Sequence, residues 1–214
     1  MKTTLRTELP LLILVAVPFV YLWSIWGQLP ESVPLHWNVE GQVDRYGSRN
    51  ELLVIPLVTS LLIYAILLLV PLIDPKKRIQ EMGPKYTQLR YALVTFMSGL
   101  GVVILYMVQQ EEGQSPRLIF VLVGLLFAVL GNYMKTVKPN YFIGIRTPWT
   151  LENPEVWDKT HNLGGKLWVA GGLLVVLLSL LTEGRLHFYL FMGVVAVIAG
   201  IPMVYSYLLY RKAG

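Results

Sequence analysis

The chain has 214 residues, of which 55% are hydrophobic and 14% are charged, with a net charge of +5 and no cysteine. Ordinary soluble domains carry about 25% charged residues, so this composition excludes a typical soluble domain and an intrinsically disordered chain. The lack of cysteine excludes disulfides, thiolate metal sites and cysteine nucleophiles.

The hydrophobic residues are gathered into six runs that contain no Asp, Glu, Lys or Arg. A helix needs about 20 apolar residues to cross the hydrocarbon layer, and four runs meet that length easily. The runs cover residues 10–28, 52–73, 91–110, 118–134, 167–181 and 188–209. They predict an all-α integral membrane protein, a six-transmembrane-helix bundle. The bulky stretch at residues 23–26 does not resemble a cleavage site, so the first run is predicted to be a retained span.

Lysine and arginine are distributed unevenly between the two sides of this bundle. Fourteen of the 18 fall in segments on the side of the two termini, and four fall on the other side. The positive-inside rule therefore predicts that both termini are cytoplasmic. The lipid bilayer accounts for the basic face, so no direct nucleic-acid partner is expected.

The outer loop, residues 29–50, is predicted to form a small extracytoplasmic cap. Leu35, Trp37 and Val39 alternate with polar residues, as in a short strand, and glycines punctuate the loop as turns. We expect Asp44 and Arg45 to form a local turn with ion pairing, and His36 and Trp37 to cap the bundle. Histidines and acids on this side suggest zinc, but the sequence has no HExxH and no close His pair. We expect no metal site and no cofactor.

The inner loop, residues 135–165, mixes aromatic and charged residues. Asn153-Pro154 is a helix-start signal, and Gly164-Gly165 is expected to end that helix before the fifth span. Trp157 and His161 are four residues apart and share one helical face.

Two sets of strings carry a resemblance to a known family. The inner loop contains GNY at 131–133, KPNYFIGIRTPWT at 138–150, VW at 156–157, KTH at 159–161 and GGK at 164–166. This pattern closely resembles the SdpI family, which are bacterial multi-pass immunity proteins against the sporulation-delaying peptide toxin. The outer loop, with VPLHWN at 33–38 and DRYGS at 44–48, resembles the small membrane domain of unknown function that precedes the SdpI region in many such proteins.

The resemblance implies two domains: an N-terminal membrane domain over residues 1–80 and an SdpI-like domain over residues 85–214. It implies resistance to a secreted peptide toxin, and signalling in which a cytosolic transcriptional repressor is drawn to the membrane. Because toxin arrives from outside, the candidate toxin-contact residues lie in the cap: His36, Trp37, Asn38, Asp44, Arg45 and Tyr46. The candidate inner-loop motif consists of Asn140, Arg146, Thr147, Pro148, Trp149, Thr150, Trp157 and His161.

Each inner-loop candidate also has a structural interpretation. In the functional interpretation, the Arg146 guanidinium stacks on the Trp149 ring as a contact pair. In the structural interpretation, Arg146 is a positive-inside arginine and Trp149 is an anchor at the membrane interface. Asn140 and the two threonines are able to bond freed backbone groups of a turn. Trp157 and His161 either bind a partner or pack against the inner ends of the spans.

Three functional classes compete. The first is a non-enzymatic immunity and signalling protein, and the alternative is a multi-pass transporter or exporter of a small molecule or peptide. Transporters that couple to ions usually need ionisable groups within the spans, and the six runs contain none. An enzyme is not expected, because the serines in the runs have no carboxylate or lysine beside them in sequence. Small residues, including Gly124 with Gly131 and Ala196 with Gly200, predict close helix contacts within the bundle or between protomers.

Overall fold

The structure is a computed structural model that describes residues 4–75, 77–110 and 117–213. Six helical segments in these ranges are long and apolar enough to cross a membrane. They are Leu5–Gln28, Arg49–Ile73, Pro84–Gln109, Arg117–Met134, Pro154–Leu181 and Gly184–Lys212. The predicted membrane architecture of six spanning helices is therefore confirmed.

The first span consists of helix α1 (Leu5–Ile25) and a short 3-10 turn (Trp26–Gln28). A hairpin follows, in which strand β1 (Ser32–Trp37) pairs antiparallel with strand β2 (Val43–Ser48). This cap hairpin confirms the predicted β-structured cap between the first two spans.

The second span changes helical form along its length. It begins with a 3-10 turn (Arg49–Leu53) and continues through α2 (Val54–Pro56), a π-helical turn (Leu57–Leu62) and α3 (Ile63–Ile73). Ser60 lies in the π-helical turn and donates its hydroxyl to the carbonyl oxygens of Pro56 and Val15, at 2.7 and 3.0 Å. The irregular turn is therefore tied to α1.

Short helix α4 (Arg78–Glu81) leads into α5 (Pro84–Gln109), which packs against α1 and the second span. The carboxyl-terminal group consists of α6 (Arg117–Met134), short α7 (Pro148–Glu152), α8 (Pro154–Leu181) and α9 (Gly184–Ala213). Both α5 and α8 begin well before the hydrophobic runs that predicted them. A run of apolar residues marks the lipid-facing part of a helix, and these helices continue beyond it.

Helices α6 and α8 approach each other along paired glycines. A β-carbon on Gly131 would lie 2.7 Å from the carbonyl oxygen of Gly165, and one on Gly124 would lie 2.7 Å from that of Gly172. The predicted close contact of Gly124 and Gly131 is therefore intramolecular. By contrast, a β-carbon on Gly200 would meet nothing within 4 Å, so this glycine lies on an open face of α9.

The prediction that Gly164-Gly165 ends a helix is wrong, because α8 runs through both residues without interruption. A β-carbon on Gly165 would lie 2.7 Å from the carbonyl oxygen of Gly131 in α6, and one on Gly164 would lie 2.6 Å from Cδ1 of Ile145. Packing against close neighbours here outweighs the low helix propensity of glycine.

Two backbone carbonyls that lose their helical N–H partner to a proline accept a hydrogen bond from a neighbouring helix instead. Pro71 has no N–H for the carbonyl of Leu67, and the Tyr86 hydroxyl donates to that oxygen at 2.6 Å. Pro202 has none for the carbonyl of Ile198, and the indole N–H of Trp168 donates to it at 3.0 Å. Each freed carbonyl thereby regains a partner, as a low-dielectric surrounding requires.

The spans alternate in direction, which places the cap hairpin on one face and both ends of the described chain on the other. Arg185, at the start of α9, pairs with Glu40 of the cap hairpin, whereas Tyr210, near the end of α9, donates to Glu152 of α7 at 2.9 Å. We call these two faces the cap face and the termini face.

Candidate functional sites on the two faces

The turn of the cap hairpin is built by one side chain. The Asn38 side-chain oxygen accepts hydrogen bonds from the backbone N–H groups of Glu40 and Gln42, at 3.0 and 2.9 Å. Gly41 has a φ of 82°, a conformation that favours glycine. These bonds fix the direction in which the neighbouring side chains of β1 leave the strand.

The cap hairpin is anchored by apolar contacts with the first, second and third spans. Val33 and Leu52 are fully buried, in a cluster with Leu22, Ile25 and Leu105. Trp37 is partly buried and packs against the same cluster. Burial of these side chains holds β1 on the bundle, because transferring apolar surface out of water is favourable.

The ion pairs of the cap differ from those predicted. Asp44 and Arg45 lie within strand β2 and do not form a local turn. The Asp44 carboxylate bonds the His36 ring across the two strands at 2.6 Å, and Arg45 bonds Glu51 at 2.8 Å. Strand pairing therefore brings Asp44 to His36, whereas Glu51 reaches Arg45 from the 3-10 turn that follows β2. Tyr46 is 60% exposed on the outer surface of the hairpin.

A cavity of about 640 Å³ lies between the cap hairpin and the carboxyl-terminal helices. Its walls come from the cap hairpin, the start of α6 and the turn between α8 and α9. Of the predicted cap residues, His36, Trp37, Asn38 and Asp44 line this cap cavity. The opposite wall includes His187, which the sequence places on the same side as His36, and residues that were not predicted: Arg117, Phe120, Glu183 and Phe188.

The opposite wall is organised around buried His187. The Thr182 hydroxyl donates to the Leu178 carbonyl at 2.8 Å and lies 3.0 Å from Nδ1 of His187. The ring of Phe120 meets that of His187 edge-on, with centroids 4.5 Å apart. Arg117 pairs with Glu183 above them and joins α6 to the α8–α9 turn. In the sequence, the only indication of this ion pair was that Arg117 and Glu183 lie beside the ends of hydrophobic runs.

On the termini face, residues 135–153 form a motif loop that is folded around Asn140. The Asn140 side-chain oxygen accepts from the N–H groups of Phe142 and Ile143, at 2.8 and 2.7 Å. Its amide group donates to the carbonyls of Lys138 and Ile143, at 2.8 and 3.0 Å. This buried side chain thus satisfies four backbone groups of the turn, as the structural interpretation of Asn140 predicted.

Thr147 and Thr150 cap helix α7 and attach it to α9. The backbone N–H of Thr150 donates to the Thr147 hydroxyl at 3.2 Å, and the N–H of Thr147 donates to the Thr150 hydroxyl at 2.9 Å. The Thr147 hydroxyl also lies 3.1 Å from that of Ser206. Both threonines are buried, so they position the loop and do not face a partner.

Trp157 and His161 lie under the motif loop in α8, with their rings stacked at 4.0 Å. The Trp157 indole donates to the Val137 carbonyl at 2.8 Å. His161 Nε2 accepts from the Ile145 N–H, and Nδ1 lies 2.9 Å from the Trp157 carbonyl. Because an N–H only donates and a carbonyl only accepts, the geometry assigns a neutral imidazole with its proton on Nδ1.

Gly144 leaves the space that this arrangement needs. Its φ is 106°, and a β-carbon there would overlap His161 Nε2. Trp157 and His161 are 0% and 1% exposed, so the two rings are packed inside the protein. This matches the packing alternative for both residues.

Arg146 and Trp149 have separate partners. The Arg146 guanidinium donates to the Tyr141 carbonyl, and the Trp149 ring packs against Tyr207 of α9, with centroids 5.1 Å apart. Arg146 and Pro148 are exposed, so they are the members of the predicted motif that face outward.

A buried ion pair near the termini face was not predicted. Arg90 of α5 donates to both carboxylate oxygens of Glu8 in α1, at 2.9 and 2.7 Å, and Tyr64 of the second span donates to the same carboxylate at 2.9 Å. The Arg90 side chain is 1% exposed. The hydrophobic runs began after both residues, so both charges were assigned to loops. The folded spans therefore do contain ionisable groups, unlike the runs.

The fold and these sites define a six-span membrane protein with a cap hairpin on one face and a folded motif loop on the other. Residues 136–206 match the SdpI/YfhL protein family, and residues 13–59 match a domain of unknown function, DUF1648. The match to residues 136–206 agrees with the resemblance that the inner-loop motifs predicted.

Two relatives extend this similarity. The immunity protein SdpI of Bacillus subtilis (strain 168) is 26% identical over 209 residues, which cover 94% of each chain. An uncharacterized protein of Archaeoglobus fulgidus is 43% identical over 60 residues, which cover 28% of this chain and 31% of that protein. No solved structure matches the chain.

Proposed function

We propose that this protein is a membrane immunity protein that gives its cell resistance to a secreted peptide toxin. The observation that carries the proposal is the similarity to an immunity protein along 94% of both chains, in a chain that has six helices able to span a membrane. The activity we propose is non-enzymatic and needs no cofactor, because protection follows from binding.

The proposal includes an orientation in the bacterial cell membrane. By the sequence assignment, fourteen of the 18 lysines and arginines fall on the side of the termini, and we place the termini face in the cytoplasm. The cap face is then extracytoplasmic, and it is the face that a secreted toxin meets first. Residues 1–80 and 85–214 act in this proposal as two domains that face each other across the cap cavity.

Toxin contact is assigned to the cap face. His36, Asp44, Arg45 and Tyr46 are exposed there, and Trp37 and Asn38 are partly exposed. Hydrogen bonds and apolar anchoring hold the hairpin in one conformation, so little ordering entropy opposes binding. A toxin held at this surface is prevented from inserting into the bilayer.

A relay to the cytoplasm is the finer part of the proposal. The motif loop is held by buried groups and presents Arg146 and Pro148 outward, where a cytosolic transcriptional repressor is able to make contact. If toxin binding favours one arrangement of this loop, a repressor that prefers the same arrangement must also tighten toxin binding, by linkage.

Transport is the second candidate, because Glu8 and Arg90 form a buried ion pair between spans. Ionisable groups inside spans often mark transport pathways. The pair is satisfied within the protein, however, since Arg90 and Tyr64 bond both carboxylate oxygens of Glu8. Uptake or release of labelled toxin by proteoliposomes would favour transport.

The proposed function is tested by survival. A toxin-sensitive bacterial strain expressing the full chain is challenged with purified sporulation-delaying peptide, beside a strain expressing an unrelated six-span protein at equal membrane abundance. Protection only in the first strain is expected. Equal killing of both strains would overturn the proposal.

A further inference from the structure

We propose that the cap cavity binds a cationic, amphipathic peptide segment. This inference rests on the proposed function, because it assigns the toxin segment that the protein recognises. The cavity, at about 640 Å³, falls within the range of about 300–1,000 Å³ that is usual for ligand pockets. It opens on the cap face, between walls that come from distant parts of the chain.

The walls are largely apolar. Leu35, Trp37 and Val39 of the cap hairpin line one side, and Ile119, Phe120 and Phe188 of the helices line the other. Aromatic side chains provide large contact areas with little loss of conformational entropy. An occupant that fills this space must therefore carry apolar side chains of its own.

The charges that line the cavity are mainly acidic. Three carboxylates, of Glu40, Asp44 and Glu183, line it against the guanidinium of Arg117, and a second guanidinium, of Arg185, pairs with Glu40 from outside the lining. This imbalance complements an occupant that carries positive charge.

The present partners of these carboxylates do not prevent such binding. Asp44 pairs with His36, Glu183 with Arg117, and Glu40 with Arg185. The six side chains are between 31% and 71% exposed. Exposed ion pairs of this kind contribute only about 0–1 kcal/mol, so a cation on the ligand is able to take over a carboxylate at little cost.

The first experiment measures binding directly. The full chain is placed in nanodiscs of phosphatidylcholine, which has no net charge, and titrated with a short fluorescent peptide of leucine and phenylalanine that ends in two lysines. A twin peptide ends in two glutamates. We expect the lysine peptide to bind roughly tenfold more tightly at low salt, with a smaller difference at high salt. Equal affinities would overturn the proposal.

The second experiment locates the site with matched variants. Ile119→Trp fills the cavity, whereas Leu125→Trp adds the same side chain on an exposed face of the same helix. We expect roughly tenfold weaker peptide binding for I119W and no more than about a twofold change for L125W. Glu183→Gln, on the surface, should weaken binding of the lysine peptide by about fivefold and should not weaken binding of the glutamate peptide. Wild-type affinity in I119W and E183Q would overturn the assignment.

Competition with dodecylamine tests whether the occupant is a peptide. Displacement of the lysine peptide by an equal concentration of this amine would show that any amphipathic cation fits, and would overturn the peptide assignment. The survival assay remains separate from these tests. If the chain protects cells and I119W protects equally well, only the cavity assignment fails. If the chain gives no protection, the immunity proposal fails, and the nanodisc titrations still decide what the cavity binds.

Discussion

Trp168 donates its indole N–H to the carbonyl oxygen of Ile198, at 3.0 Å. That carbonyl belongs to the turn of α9 that Pro202 interrupts, so it has no N–H partner in its own helix. A tryptophan within the fifth hydrophobic run thus supplies a hydrogen bond that the sixth span lacks. Tyr86 supplies the equivalent bond for Leu67 beside Pro71.

Replacing Trp168 with Phe should destabilise the protein by about 1–3 kcal/mol, because it leaves a buried carbonyl unsatisfied. In a Pro202→Ala background the helix provides its own N–H, so the same substitution should cost at least about 1 kcal/mol less. Thermal unfolding in detergent measures the four variants of this cycle. An equal cost of W168F in both backgrounds would mean that the hydrogen bond contributes nothing.

The glycine pairs of α6 and α8 predict a contrast between two conservative substitutions. Gly131→Ala should destabilise the bundle by about 1–3 kcal/mol, because its new methyl group meets the backbone of Gly165. Gly200→Ala is the matched control, since the space around it is open and alanine favours the helix. Unfolding of both variants in the same detergent gives the comparison, and equal stabilities would contradict the assigned contact.

The buried ion pair predicts an asymmetry between single and double substitutions. Glu8→Gln or Arg90→Met alone should destabilise the protein by about 3–5 kcal/mol, because each leaves one buried charge without its partner. The double variant should cost less than the sum of the two single variants. Arg78→Ala, which breaks the exposed pair with Glu81, is the control and should change stability by no more than about 1 kcal/mol. Additive costs at Glu8 and Arg90 would show that the pair is not coupled.

These three contrasts mark how far the sequence determines the fold. Hydrophobic runs locate the six spans because lipid selects for apolar length, and the Asn153-Pro154 signal correctly begins α8: the Asn153 side chain accepts from the N–H groups of Glu155 and Val156. The Glu8–Arg90 pair joins residues 82 positions apart, and no local pattern reports it.

The candidate sites show the same division. Asn153 and Asn140 act on nearby backbone, so their roles follow from residue type and local spacing. The partner of Asp44 depends on strand register, which contains irregular steps between Pro34 and Trp37. The far wall of the cap cavity depends on how α6 and α9 pack. Neither this wall nor the partner of Asp44 can therefore be predicted from neighbouring residues in the sequence.

The motif loop predicts that surface and buried variants will fail differently. Arg146→Ala should reduce protection or repressor recruitment while membrane abundance stays near wild type, since the side chain is exposed. Trp157→Ala should lower abundance itself, because a fully buried ring and its bond to Val137 are lost, at about 3–5 kcal/mol. Survival, repressor localisation and immunoblots of membrane fractions distinguish the two. Full activity of R146A at normal abundance would favour simple anchoring.

Cap variants provide the complementary set. Asp44→Asn should impair survival together with any toxin-dependent signal, whereas R146A should spare part of the resistance. Tyr46→Ser, on the outer surface of the hairpin, tests whether contact extends beyond the cavity. If R146A loses resistance as completely as D44N, the two faces do not have separate roles.

The proposed orientation predicts the outcome of reporter fusions. A cytoplasm-active reporter should work at both termini, and an export-dependent reporter should work when inserted at Gly41 in the hairpin turn. Insertions at this exposed turn are expected to disturb the fold least. An external terminus would reverse the assignment of both faces.

The cap cavity has one wall on a hairpin of fewer than twenty residues and the other on membrane helices. Val33 anchors that hairpin, while its neighbours from Leu35 to Glu40 face the cavity. Under the proposed function, exchanges at the exposed residues of this segment would alter what is recognised and leave the glycine pairs of α6 and α8 unchanged. A protein built in this way could acquire specificity for a different toxin through substitutions in one exposed segment, while the packing of its membrane helices stays the same.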